Sequence, residues 1–92
     1  MTNQLREKVI KITSLLSAEQ KSQDIVEIEN DFINREIIDY LESIGTEEID
    51  YEITQKNHTG YIQEQGGRTY LWYKQSNGNW IIKLWEINRL LN

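Results

Sequence analysis

The chain has no cysteine and no proline, and His58 is its only histidine. Without thiols it forms no disulfide, presents no thiolate nucleophile and offers no cysteine metal site. His58 falls in a polar turn beside Gly60, where a solvated side chain is expected rather than a catalytic one. With no proline, no prolyl isomerisation slows folding. No apolar run approaches the ~20 residues of a membrane span, and the first residues lack the apolar stretch of a signal peptide. The cytosol is therefore the expected compartment, with no membrane partner. A phosphate-cradling glycine loop is also missing; Gly66-Gly67 reads as a turn. No catalytic residue, cofactor, metal or small-molecule substrate is expected, and the chain reads as a binding protein rather than an enzyme.

What is present fits one domain over residues 1–92. A chain this short buries only about 60% of its unfolded surface, so its stability margin is thin. Hydrophobic residues make up 38% of the chain, with three Trp and five Tyr, enough for one core.

The net charge of −5 is unevenly spread. Asp24, Glu27, Glu29, Asp31, Glu36, Asp39, Glu42, Glu47, Glu48, Asp50 and Glu52 fall in one segment with Arg35 as its only base. That segment carries −10 and the remainder +5. Such a segment repels nucleic acid, whose phosphates need clustered Lys and Arg, and attracts basic surfaces. The plainer alternative is a solvated face that keeps the protein soluble. Glu47-Glu48 and Asp50/Glu52 are read the same way, as solvated carboxylates rather than an acid–base pair.

Leu5, Val9, Ile12 and Leu16 recur at helical spacing, predicting an amphipathic helix over 3–17, followed by a polar connection over 18–23. In Ile25-Val26-Glu27-Ile28-Glu29-Asn30 apolar and acidic residues alternate with period two, the pattern of a half-buried strand. Ile33, Ile37, Leu41 and Ile44 return to helical spacing, with Asp31 or Asn34 as N-cap and Gly45 at the C-terminal stop. Beyond this the pattern is β: 49–54, 61–65, 69–75 and 80–87, with turns at 56–60, Gly66-Gly67 and Asn77-Gly78. A two-residue type I′ loop at Asn77-Gly78 would set Ser76 opposite Asn79, Tyr73 opposite Ile82 and Trp72 opposite Lys83. Tyr70, Trp72 and Trp85 would then share one face, covered by the first helix or the tail, or free as a contact surface. Residues 88–92 would pack as a tail or fray. The expected fold is α+β, two short helices on a five-stranded antiparallel sheet, in the order α-β-α-β-β-β-β.

This layout resembles the phage-type uracil-DNA glycosylase inhibitors, small acidic proteins that imitate DNA. The resemblance is carried by the opening Met1-Thr2-Asn3 before a helix and by the strand Ile25 to Asn30. A short acidic helix ending Ile44-Gly45, and the turn Gln75-Ser76-Asn77-Gly78-Asn79 leading to Ile82-Lys83-Leu84, complete it. In that family the first strand is an edge strand that enters the enzyme's groove, with a carboxylate in place of a phosphate. An apolar pocket between the second helix and the sheet receives an enzyme side chain.

The resemblance implies that Glu29 imitates a phosphate, with Glu27 as the alternative. Asn30, where the family has Ser, accepts a hydrogen bond there. Ile33, Ile37, Leu41 and Ile44 would line the pocket opposite Tyr51, Ile53 or Leu71. The implied partner is the basic groove of a uracil-DNA glycosylase, in a 1:1 complex in a bacterial cell.

The physics of such a mimic stands on its own. Alternate strand residues lie about 6.6 Å apart on one face, so Glu27, Glu29 and Asp31 repeat at a pitch comparable to DNA phosphates. Ordinary core packing competes with the pocket assignment for the helix stripe. Two other function classes remain open: an immunity-type or anti-defence inhibitor of another nuclease, and a self-associating domain that docks through its aromatic face.

Overall fold

A computed structural model describes residues 3–29, 32–44 and 59–92. Over these residues the fold is α+β, with four helices and a four-stranded antiparallel sheet. The elements are α1 (Asn3–Leu15), α2 (Ala18–Lys21), β1 (Val26–Ile28), α3 (Arg35–Ile44), β2 (Thr59–Glu64), β3 (Gly67–Lys74), β4 (Trp80–Ile82) and α4 (Leu84–Leu91). The sheet has four strands where five are expected; the strand expected over 49–54 lies outside the described residues, as do Gly45 and His58.

The stripe Leu5, Val9, Ile12 and Leu16 is buried along its whole length, so α1 forms as its periodicity predicts. The polar stretch after it is not plain connection. Ser17 caps α2 in a capping box: its hydroxyl accepts from Gln20 N at 3.2 Å, and Gln20 Oε1 accepts from Ser17 N at 2.9 Å. Gln20 Nε2 then donates to Asn34 Oδ1 at 3.3 Å, tying α2 to the entrance of α3.

The strands run in the order β1-β4-β3-β2, so the N-terminal strand docks on the C-terminal one. Val26 pairs with Ile82 and Ile28 with Trp80; Trp72 pairs with Ile82 on the far side of β4. These five side chains share one face and are buried in a single core with α1, α3 and α4. On the other face Glu27, Ile81 and Tyr73 lie in register.

The last hairpin differs from expectation by one residue. Gly78 N donates to Gln75 O at 3.0 Å and Gln75 N to Asn79 O at 2.8 Å, which closes a three-residue loop over 76–78. A type I′ loop needs positive φ at both central residues, and Gly78 has φ 90° while no non-glycine residue among those described has positive φ. The loop is a type I turn followed by a glycine bulge. Because side chains alternate, the one-residue slip exchanges faces. Tyr73 pairs with Ile81, not Ile82, and Trp72 joins the core instead of an outer aromatic face.

The final strand is also shorter than expected. β4 stops at Ile82, Lys83 turns the chain, and α4 occupies 84–91, including most of the expected tail. Trp80, Ile82 and Leu84 alternate as in a strand, but Leu84, Ile87 and Leu91 are spaced for a helix and the latter pattern wins. Leu84 and Ile87 are buried, and Arg89 reaches back one turn to Glu86 at 2.7 Å. The aromatic face does not assemble: Trp72 is in the core, Tyr70 stacks edge-on against Tyr61 at 5.8 Å, and Trp85 lies half-exposed on α4.

β2 and β3 pack tightly at one point. A Cβ at Gly60 would lie 2.0 Å from the Trp72 indole, so only glycine fits beneath that ring.

Candidate functional site: an acidic edge strand

Among the described residues β1 lies at an edge of the sheet. Val26 and Ile28 are 1% and 0% exposed, and this anchors the strand by burying alternate side chains. The same pleat turns Glu27 outward, and Glu29 follows it into solvent. A strand with charged residues on its open side resists pairing with a second sheet.

The two carboxylates differ in their fixing. Glu27 Oε2 accepts from Asn79 Nδ2 at 2.9 Å, a bond that links β1 to the end of the last hairpin. Among the described residues neither Glu29 nor Glu36 has a side-chain partner, and both are exposed. Asp39 stands 3.9 Å from Arg35 in a well-exposed pair, and Glu42 3.4 Å from a partly exposed Lys74. Such exposed pairs contribute about 0–1 kcal/mol each, so these acids remain largely solvated charge. Asn30 and Asp31, and the acids of 45–58, lie outside the described residues.

The apolar set expected to line a pocket is divided by the fold. Ile37 and Leu41 are 5% and 0% exposed within the core, and Ile44 packs against it part-buried. Ile33 does not join them. It precedes the first turn of α3 and is 89% exposed, and Ile38 takes the buried position instead. Leu71 is fully buried, while Tyr51 and Ile53 lie outside the described residues.

Phe32, beside Ile33, is 94% exposed and was not marked out by spacing. The available signal was its isolation: it is the only phenylalanine in the chain, set within the acidic segment and off both periodic patterns.

A second charged group lies at the opposite strand edge. Arg89 Nη2 donates to Glu64 Oε1 and to Glu86 Oε2, each at 2.7 Å, and Thr69 Oγ1 donates to Glu64 Oε1 at 2.7 Å. The Thr69 hydroxyl and then the Arg89 guanidinium hold the Glu64 carboxyl below the ordinary glutamate range, and Glu86 and Glu64 raise Arg89. This cluster ties α4 to β2. Among the described residues no group of three or more His, Asp or Glu side chains could hold a metal ion, and no helix is long and apolar enough to cross a membrane.

Comparison of the chain with protein-family models, with curated proteins and with solved structures found no match to any of them.

Proposed function

We propose that the chain is a non-enzymatic acidic protein that occupies the basic DNA-binding groove of a DNA-processing enzyme, with a uracil-DNA glycosylase as the leading target. One observation carries this: Val26 and Ile28 are buried in the core while Glu27, between them on a strand at the edge of the described sheet, and Glu29, just past its end, are exposed. Along an extended chain alternate carboxylates repeat about 6.6 Å apart, a pitch that a groove built for phosphates can bind. The −10 segment around them would steer the encounter with a basic surface. The protein would act without cofactor or nucleic acid, in the cytoplasm of a bacterial cell, as a 1:1 complex.

The direct test is glycosylase turnover of uracil-containing DNA with increasing protein. Stoichiometric loss of activity is expected, weakened in the double substitution Glu27→Gln/Glu29→Gln and at high salt. Undiminished turnover at a large molar excess would remove the glycosylase as target.

A further inference from the structure

In the sequence, the acidic strand is followed closely by two apolar side chains that are exposed to water. Phe32 is 94% exposed and Ile33 89%, whereas Ile28 before them and Ile37 after them are 0% and 5%. Single exposed apolar residues are ordinary; two adjacent large ones, both almost wholly exposed, mark a contact. Phe32 O accepts from Arg35 N at 3.4 Å at the start of α3. Exposed Glu27 and Glu29 precede the pair and exposed Glu36 follows it.

Resting on the groove-binding reading above, we infer that Phe32 and Ile33 are the apolar anchor of the same surface. They fill an apolar slot set within the partner's basic groove, of the kind that receives an unstacked base. Enzymes that act on a base extrude it into such a slot and hold it by stacking, while the phosphates on either side stay in the groove. A planar ring between carboxylates presents the same sequence of groups, and aromatic stacking of this kind tolerates any flat face. The inference also explains why the surface does not rely on charge alone. Solvated carboxylates raise the association rate but add little to residence, which a desolvated anchor supplies. Ile37 and Leu41 of the helix stripe are buried in the core, whereas Phe32 and Ile33 stand exposed, so here the anchor projects rather than accepts.

Binding kinetics with a uracil-DNA glycosylase as probe, measured at about 50 and about 200 mM salt, separate the two contributions. Phe32→Ala is expected to weaken binding about thirtyfold or more, almost all in the dissociation rate, with the salt dependence unchanged. Glu27→Gln/Glu29→Gln is expected to slow association and flatten the salt dependence. Phe32 buries almost nothing in the free protein, so the melting temperature of Phe32→Ala should match the wild type, and Ile33→Ser provides a second variant. Wild-type binding matched by Phe32→Ala would overturn the anchor and leave the groove reading standing. Absence of wild-type binding would overturn both the anchor and the glycosylase as its target. A wild-type dimer that becomes monomeric in Phe32→Ala would also overturn it, by assigning the pair to self-contact.

Discussion

Replacing Gly60 by alanine tests the packing between β2 and β3 at a single atom. The added Cβ would sit 2.0 Å from Cε2 and Cζ2 of Trp72 and 2.4 Å from Cη2, where real contacts do not fall below 3.0 Å. Either the indole or the strand must move by about 1 Å, and Trp72 is fully buried among close-packed neighbours. Overpacking of this kind costs about 1–3 kcal/mol. Opposing it, alanine restricts the unfolded chain and returns about 0.4–1 kcal/mol where the backbone tolerates it. The steric term is larger, leaving a net loss of about 1.3 kcal/mol. In a domain of this size that lowers the melting temperature by roughly 5–10 °C.

Thermal unfolding followed by far-UV circular dichroism reads this directly. A companion cycle sharpens it: with Trp72→Leu already present, Gly60→Ala should cost much less, because the ring it strikes is gone. A melting temperature unchanged or raised in the single variant would mean that the indole does not lie over Gly60, and the β2–β3 register would have to be redrawn.

Other consequences are separable by the same assay. Ser17→Ala removes the α2 capping box and should destabilise by about 1 kcal/mol, whereas Ser17→Asp, which keeps an acceptor, should not. Leu41→Ala opens a hole in the core and should cost about 2–5 kcal/mol, while Ile33→Ala, although on the same sequence stripe, should stay within about 0.5 kcal/mol of wild type. Glu64 is held below its ordinary value of 4.5, so its contribution is complete above that pH and is lost as pH falls through the depressed folded value. Carboxyl titration by NMR should show the low value, and Glu64→Gln should soften the acid side of the stability profile; an ordinary Glu64 titration would contradict the Arg89–Thr69 arrangement.

Local patterning made α1 and the core side of β1 legible, because each rests on one period and one kind of neighbour; the turn expected at Gly66-Gly67 falls one residue earlier, at Gln65-Gly66, with Gly67 opening β3. The errors arose where two local solutions have similar cost and a distant contact decides between them. Asn77-Gly78 suits a two-residue loop or a three-residue one; the choice is made by Trp72, Trp80 and Ile82 meeting Val26 and Ile28 on one face. Trp80 to Ile87 carries strand and helix periods at once, and burial of Leu84 and Ile87 against the other helices favours the helix. Within the candidate site, Glu27 and Glu29 followed from alternation, while Ile33 was misplaced because its spacing to Ile37 does not reveal that α3 begins only at Arg35.

What separates a mimic from a charge run is how little the carboxylates must be ordered on binding. Immobilising a flexible side chain at an interface costs about 0.5–1.5 kcal/mol. Glu27 is already held by Asn79 Nδ2 at 2.9 Å, whereas Glu29 must be ordered by the partner. On the proposed function, Asn79→Ala should therefore weaken inhibition several-fold through Glu27, with net charge unchanged. It should have no further effect in a Glu27→Gln background, where the carboxylate it organises is already absent. If Asn79→Ala inhibits as well as the wild type while Glu27→Gln is impaired, the amide bond contributes nothing to presentation, and the orientation of the acidic strand must come from burial of Val26 and Ile28 alone.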